Sequence, residues 1–174
     1  ARYTEDDREA DKQFLSSLFS GPLADPIELS GARTDSKFNP AMTVNYQVSD
    51  AVNAYARVAT GYRAGGFNTR STVDGFAAGF GPEDVISYEL GLKSQFNDNR
   101  SRLNAAIYYN DYDDLQVSQL RPGIVFTDIL NAGKAVTQGL ELEFSTLLSE
   151  WMTLDMFYAY IDAEFKEYVD NGVD

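Results

Sequence analysis

The chain has 174 residues, of which 27 are Asp or Glu and 14 are Lys or Arg, so its formal net charge is −13; it has no cysteine and no histidine. These counts exclude disulfides, thiolate and His-ligated metal centres, and catalytic triads or dyads that need His or Cys. The acidic excess also argues against nucleic acid as a partner, because phosphate binding needs a basic surface. With 44% hydrophobic residues, the chain is expected to fold.

Hydropathy along the chain gives no sign of a membrane-spanning helix. No apolar stretch approaches the ~20 residues that a spanning helix needs, and residues 1–7 lack the apolar core of a signal peptide. Helical membrane proteins are therefore disfavoured. A transmembrane β-barrel stays open, because its strands alternate and give only a weak hydropathy signal.

The N-terminal part is predicted to hold the tail of a strand over residues 2–7 and then a long loop over residues 9–36. Within that loop, Phe14, Leu15, Leu18 and Phe19 precede a Gly-Pro stop signal. This spacing indicates a short amphipathic helix or a packed loop insertion over residues 11–23.

From residue 37 onwards, apolar and polar side chains alternate with period 2, as in Val52, Ala54 and Ala56 against Asn53 and Tyr55. Six such runs predict six antiparallel strands, each with one apolar and one polar face. The predicted strands lie near residues 37–48, 51–62, 86–96, 101–112, 138–148 and 151–161.

The connections between these strands alternate in length. Residues 49–50, 97–100 and 149–150 form tight turns, whereas residues 63–85 and 113–137 form long loops. All tight turns then lie on one side of the sheet and all long loops on the other, which is typical of outer-membrane barrels. The predicted fold class is all-β: an antiparallel up-and-down meander that is a segment of a large transmembrane β-barrel.

The two faces of these strands are predicted to meet different surroundings. Apolar side chains would face lipid, and polar side chains would face the lumen of the barrel. The predicted lipid-facing residues are Met42, Val44, Val52, Val58, Leu90, Leu92, Leu103, Ile107, Leu140, Leu142, Leu154 and Met156. The predicted lumen-facing residues are Asn53, Arg57, Glu89, Lys93, Asn104, Glu141 and Glu143.

The glycine-rich segment over residues 61–66 lacks the Gly-Lys-Ser/Thr ending of a phosphate-binding loop, which argues against nucleotide binding. Its glycines are expected to permit positive φ where the strand leaves the barrel wall. Candidate ligand contacts in the predicted loop over residues 63–85 are Arg63, Phe67, Asn68 and Arg70, of which the two arginines suit an anionic ligand.

Two carboxylate clusters are candidates for metal binding or catalysis. Asp111, Asp113 and Asp114 offer oxygen ligands for calcium, but their spacing differs from known calcium loops and favours a hydrated strand end. Glu141 and Glu143 have a spacing near that of inverting glycosidases. The wholly polar face around them fits a lumen wall better, so no enzyme, cofactor or metal is predicted.

Several segments together resemble a known family, the TonB-dependent outer-membrane receptors. The matching segments, in the same order, are residues 55–68, 87–94, 99–117, 131–135 and 139–143, and the resemblance covers most of residues 37–165. It implies the wall of a large receptor barrel in the bacterial outer membrane that imports scarce nutrients, often ferric siderophores.

The resemblance also implies partners. These are the lipid bilayer, the remaining barrel strands, an N-terminal plug domain, a small-molecule ligand, and the TonB protein, which contacts an N-terminal segment of such receptors. No plug and no TonB-contacting segment is visible in these residues, so the chain is expected to be an internal fragment from the C-terminal half of the barrel.

Two alternatives compete with the receptor. One is a soluble β-sandwich carbohydrate-binding module, in which the apolar faces pair as a core and Phe67, Phe76 and Phe80 act as sugar platforms. The other is a passive outer-membrane porin without plug or energy coupling. Two packed sheets would favour the sandwich, whereas a single meander would favour a barrel.

Overall fold

A computed structural model describes residues 1–14, 27–120, 126–131 and 133–168. Within these ranges the regular structure is nearly all β-strand. The strands are β1 (Arg2–Phe14), β2 (Ile27–Asn39), β3 (Ala41–Ser49), β4 (Val52–Arg63), β5 (Glu83–Phe96), β6 (Ser101–Asp113), β7 (Gln116–Leu120), β8 (Thr127–Asn131), β9 (Gly133–Ser149) and β10 (Met152–Tyr168). One short helix, α1 (Val73–Ala78), lies between β4 and β5. No helix in the described ranges is long and apolar enough to cross a membrane.

Six of these strands form one antiparallel sheet in the order β10-β9-β6-β5-β4-β3. Each strand pairs with its sequence neighbour, except that the separate β7–β8 hairpin is inserted between β6 and β9. β1 and β2 form a second separate hairpin. The predicted all-β antiparallel meander is therefore confirmed.

Tight turns connect β3 to β4, β5 to β6 and β9 to β10 at one end of the sheet. In the β5–β6 turn, Asn97, Asp98 and Asn99 have φ angles of 57°, 52° and 61°. Asn and Asp tolerate this left-handed region better than most residues, because their short polar side chains can hydrogen-bond locally. The tight turn predicted over residues 97–100 is thus present in the structure.

The strand register determines which side chains share a face. Leu90 lies beside Ala56 on β4 and Ile107 on β6, and Ile107 in turn lies beside Leu140. The same register puts all twelve predicted lipid-facing residues on one face and all seven predicted lumen-facing residues on the other. What each face contacts stays a prediction at this point.

The apolar face is open. Met42 is 64% exposed, Leu90 is 56% exposed and Ile107 is 52% exposed. The buried apolar side chains of the described residues are few: Ala64, Phe76, Ala135 and Val136. Within the described ranges, no other part of the chain therefore forms a core against the apolar side of the sheet, as a soluble β-sandwich would require.

The N-terminal prediction needs correction. Much of the segment predicted as a loop over residues 9–36 is strand, because β1 extends to Phe14, which pairs with Ile27 at the start of β2. Residues 11–14 of the predicted helix lie in β1, and the rest of it lies outside the described residues. Side chains such as Arg8, Glu9 and Asp11 give β1 polar residues on both faces, so backbone pairing forms this hairpin without an apolar alternation.

The other two predicted loops also contain regular structure. β4 extends to Arg63 and β5 begins at Glu83, so the connection between them is shorter than predicted and includes α1. The segment over residues 113–137 contains β7 and β8, and it also includes the start of β9.

The role expected for the glycines at the end of β4 is wrong. Gly61, Gly65 and Gly66 have no positive φ; the described glycines that do are Gly79 and Gly133. Gly65 instead permits a close approach, because a Cβ there would lie 2.3 Å from the carbonyl oxygen of Phe80.

The left-handed β5–β6 turn generates a stability prediction. Asp98→Val places a β-branched side chain at positive φ and is expected to lower the free energy of unfolding by about 1–2 kcal/mol. Asp98→Gly is the control, because glycine adopts this region without steric cost. Urea titration measures the free energy of unfolding of both variants. Equal values for the two would contradict the assignment of backbone strain to position 98.

Candidate functional site

The polar face of the sheet carries a cross-strand row of paired side chains. The register aligns Asn53, Lys93, Asn104 and Glu143 on four neighbouring strands. Asn104 Nδ2 donates to Glu143 Oε2 at 2.7 Å, and the guanidinium of Arg102 lies 3.7 Å from Glu143 Oε1. The carboxylate of Glu143 is thereby held by donors from β6.

Tyr55 organises the next part of this face. Its hydroxyl donates to Glu89 Oε1 at 2.5 Å, and Lys93 Nζ lies 5.4 Å from its ring centroid. The ring crosses Gly91, where an added Cβ would lie 2.3 Å from ring atoms. Gly139 makes the same room for the Tyr108 ring. Each glycine lets a tyrosine of the neighbouring strand lie flat against the sheet.

At the end of the sheet opposite the tight turns, three connections meet. They are the β1–β2 hairpin, the segment over residues 64–82 that contains α1, and the β7–β8 hairpin; we call these three the loop assembly. Phe76 of α1 is fully buried at its centre, and the Phe67 ring packs 5.8 Å from the Phe76 ring. The loop assembly thus has the compact core that the sheet lacks.

A buried carboxylate ties α1 to the β7–β8 hairpin. Asp128 is 1% exposed, and its Oδ1 accepts hydrogen bonds from Ser71 Oγ at 2.5 Å and from the Thr72 backbone N–H at 3.2 Å. Thr72 also begins α1, because its hydroxyl accepts the Gly75 N–H at 3.1 Å. A buried carboxylate needs such donors to offset its lost hydration.

Lys12 connects β1 to the segment that precedes α1. Its Nζ donates to the Ser71 carbonyl at 2.6 Å and lies 3.9 Å from the Phe14 ring centroid, 5.6 Å from that of Phe126 and 5.9 Å from that of Phe76. This geometry suits cation–π attraction. Burial lowers the pKa of Lys12, and the charge of Asp128 partly opposes that shift.

Two amides of the β7–β8 hairpin hold the strand ends of β4 and β5. Gln116 Nε2 donates to the carbonyls of Ala64 and Gly81, each at 3.0 Å. Its register partner Asn131 accepts the Gly81 N–H at 2.6 Å and donates to the Asp114 carbonyl at 2.8 Å. These side chains satisfy backbone groups that have no partner strand.

The β1–β2 hairpin is also fastened by charge. Asp35 accepts from Arg33 Nε at 2.7 Å and from the Gly65 N–H at 2.9 Å. The hydrogen bond from Arg33 lowers the pKa of the Asp35 carboxyl, although partial burial opposes the shift. Lys37 Nζ lies 2.6 Å from Asp84 Oδ2 of β5.

The four predicted ligand contacts separate into two groups. Phe67 packs inside the loop assembly, and Asn68 donates to the Thr127 carbonyl and accepts the Arg70 N–H at 3.0 Å. Arg63 and Arg70 are exposed, and Arg63 lines a cleft beside β1 whereas Arg70 does not. Ligand contact by these residues stays a prediction.

The aspartate cluster at the end of β6 is spread out. Asp113 pairs with Lys134 at 3.0 Å, which raises the pKa of Lys134. Asp114 adopts a positive φ of 54° at the exit from β6. In the described part of the chain, no group of three or more acidic side chains is arranged to hold a metal ion.

The residues that organise the loop assembly were missed by sequence reasoning. They are Lys12, Asp35, Ser71, Gln116, Asp128 and Asn131. The sequence held a partial signal for them. Backbone N–H and C=O groups in irregular segments must find hydrogen-bond partners, and the polar side chains of long connections can supply those partners. Which side chain meets which segment depends on contacts between distant parts of the chain.

Comparison of the chain with known proteins gives a consistent result. The family model described as TonB dependent receptor-like, beta-barrel, matches residues 1–174. The pesticin receptor of Yersinia pestis is 32% identical over 154 residues, which are 88% of this chain and 22% of that protein. The metal-pseudopaline receptor CntO of Pseudomonas aeruginosa is 32% identical over 138 residues, 79% of this chain and 18% of that protein.

Solved structures of receptors are also similar to this chain. The ferric yersiniabactin uptake receptor FyuA from Yersinia pestis matches with a TM-score of 0.69 at 30% identity, over 81% of this chain and 21% of that chain. The ferripyoverdine receptor of the Pseudomonas aeruginosa outer membrane matches with a TM-score of 0.60 at 18% identity, over 81% of this chain and 19% of that chain, a likeness of fold. The chain thus spans about a fifth of the length of the relatives it matches.

The buried Asp128 network generates a prediction about the loop assembly. Asp128→Ala removes the carboxylate that accepts hydrogen bonds from the Ser71 hydroxyl and the Thr72 N–H, so amide exchange across residues 64–82 is expected to speed up about tenfold or more. Hydrogen exchange with mass spectrometry measures this against the β5 strand as an internal reference.

The matched control for this variant is Asp113→Ala, which removes an exposed ion pair and is expected to leave exchange in residues 64–82 unchanged. Exchange at the wild-type rate in Asp128→Ala would show that the carboxylate does not hold the three connections together.

Proposed function

The chain belongs to the TonB-dependent receptor family, as part of its β-barrel domain, and from this premise we propose that it helps to take up a scarce nutrient such as a ferric siderophore. Its location is that of the family, the bacterial outer membrane. The relatives named for metal-pseudopaline and ferric yersiniabactin support a receptor for a small metal chelate as the whole protein's activity, and a further relative is named as a receptor for pesticin.

The observation that carries the proposal is a six-stranded sheet with two chemically different faces, whose apolar side is not covered by any other described part of the chain. Leu90 and Ile107, both more than half exposed, lie side by side in the central strands. On the opposite face, Glu89, Asn104 and Glu143 are hydrogen-bonded to neighbours within the wall. A sheet with this pattern suits a wall between lipid and an aqueous interior.

The partners follow from this placement. Lipid would cover the apolar face, and further barrel strands would pair with β3 and β10, the outer strands of the described sheet. A plug domain would lie against the polar face, and a segment outside this chain would contact TonB. The loop assembly would form part of the extracellular rim, where a small-molecule ligand first binds.

The alternatives have less support. The meander does not pack face to face against a second large sheet in the described ranges, and Phe76, one of the three supposed sugar platforms, is fully buried. A passive porin would not account for the match to energy-coupled receptors over the whole chain. Relatives that are transport receptors likewise favour a wall without catalysis, in which Glu141 and Glu143 have structural roles.

Growth under metal limitation tests the function. A strain that lacks the full-length gene is compared with its complemented parent on a chelator-treated medium, supplied one at a time with a panel of ferric siderophores. At least one siderophore is expected to restore growth only when both the gene and TonB are present. Restored growth without TonB would indicate a passive porin instead.

The lipid-facing assignment makes a separate prediction. Leu90→Arg is expected to cost about 2–4 kcal/mol in the folding free energy of the full-length protein in lipid vesicles, because it places a charge near the membrane midplane. Urea titration of vesicle-folded protein measures the cost. Ser87→Arg, on the opposite face of β5, is the control and is expected to cost less than about 1 kcal/mol. Equal costs for the two variants would contradict the assignment of faces.

A further inference from the structure

Strand β10 departs from the alternation predicted for the sheet, because large apolar side chains lie on both of its faces. The register pairs Phe157 with Glu143, so Phe157 belongs to the polar face, and Ile161 and Phe165 follow on that face at even spacing. Met156, the preceding residue, lies on the opposite, apolar face. Since the apolar face is the one proposed to meet lipid, lipid would not cover Phe157.

The residues of β10 that lie on the polar face between positions 157 and 165 are all uncharged, and we call them the inner strip. They are Phe157, Ala159, Ile161, Ala163 and Phe165. Phe157 is 76% exposed, Ile161 is 62% exposed, and Phe165 is 53% exposed although its ring lies 5.4 Å from the Tyr168 ring. In the described ranges, no other segment therefore fully covers these three side chains. An exposed apolar patch of this kind marks a surface that another molecule or domain contacts.

The inner strip continues onto uncharged parts of the wall at the loop end of the sheet. Phe165 lies beside Ala135 of β9, and Ala135 in turn lies beside Tyr112 of β6. On β9, the charged side chains of this face are Glu141 and Glu143, which lie toward the tight turns. The loop half of the face therefore presents an uncharged surface across β10, β9 and β6.

The length of the inner strip indicates what kind of partner covers it. From position 157 to position 165 the strand extends roughly 27 Å, at ~3.4 Å per residue. A small-molecule site of about 300–1,000 Å³ is roughly 7–10 Å across, so one such ligand would cover about a third of the strip. Water would leave the large apolar side chains exposed, which is unfavourable. A folded domain that lies along the wall can cover the whole strip.

We propose that the inner strip is an apolar docking surface for the plug domain, which is anchored to β10 by the burial of Phe157, Ile161 and Phe165; the inference rests on the proposed function. The strip faces the proposed interior of the barrel, where the plug domain would lie. The matched segments make up 22% and 18% of two receptor relatives, so a receptor of that length has ample further chain to form such a domain.

The contrast with the charged part of the wall indicates what this anchor does. There the carboxylates of Glu89 and Glu143 already accept hydrogen bonds from Tyr55 and Asn104, and water can replace their further contacts. Water offers no such replacement for apolar contacts. When the plug domain loosens from the wall, it is therefore expected to leave the charged part first and the inner strip last.

Photo-cross-linking tests which partner covers the inner strip. Phe157 is replaced by p-benzoylphenylalanine in the full-length receptor, and the cells are irradiated. The cross-linked peptides, identified by mass spectrometry, are expected to include segments of the same receptor outside residues 1–174. The same replacement of Met156 is the matched control, one position away on the opposite face, and is expected to cross-link to lipid. Cross-links from position 157 that are confined to lipid or to residues 1–174 would overturn the inference.

Hydrogen exchange of the full-length receptor in lipid vesicles tests the anchoring. Phe157→Ser/Ile161→Ser is expected to speed up amide exchange in the plug domain about tenfold or more, with β5 as the internal reference, because the apolar contacts are lost. Phe157→Leu/Ile161→Leu keeps apolar side chains and is expected to leave that exchange within about twofold of wild type. Met156→Ser, on the opposite face, should also leave it within about twofold.

Plug exchange at the wild-type rate in the double serine variant would overturn the inference and leave the proposed function standing. If that variant also lost siderophore-supported growth, the inner strip would contact the ligand instead of the plug domain. Sucrose entry into vesicles tests the proposed function separately. Wild-type receptor is expected to keep vesicles closed to sucrose, whereas free entry would indicate a passive porin without a plug domain and would refute the proposed function itself.

Discussion

The backbone hydrogen-bond ladder of the six-stranded sheet is the constraint on which the other features depend. Within hydrocarbon, each unpaired N–H or C=O group costs several kcal/mol, so a spanning strand must be paired along both edges. β4, β5, β6 and β9 have a neighbour on each side, and the register of those pairs decides which side chains share a face. The apolar face centred on Leu90 and the polar face centred on Glu89 are two consequences of one ladder.

Where the ladder ends, side chains form the hydrogen bonds with backbone groups that a partner strand would otherwise form. Gln116 and Asn131 bind the carbonyls and amides at the ends of β4 and β5, and Asp128 binds the start of α1. These contacts bury Phe76 and leave Arg63 at the edge of the loop assembly, beside the arginines of β1. The packed core of the described residues therefore lies within the loop assembly and stabilises it.

The elements that could be read from the sequence are those whose two faces meet different surroundings. In β5, the alternation of Ile86, Tyr88 and Leu90 with polar residues reports an apolar side and a polar side, so the strand was evident. β1 has polar side chains on both faces, and its pairing with β2 left no such signal. The prediction that the glycines at the end of β4 permit positive φ was also wrong. Gly65 instead allows the backbone of Phe80 to come close, and no local pattern shows a contact between residues 15 positions apart.

Four features could be read from the amino-acid sequence: the period of the strands, the alternation of short and long connections, the exclusion of His and Cys chemistry, and the family. Each of these depends on residues close together in the chain or on composition alone. Three features become visible in the folded chain alone: Lys12, Ser71 and Asp128 meet, Asn68 is used within the loop assembly, and Arg63 lines the cleft beside β1 whereas Arg70 does not. These contacts join segments as many as 59 residues apart, because their partners are set by the packing of the loop assembly and not by a local preference.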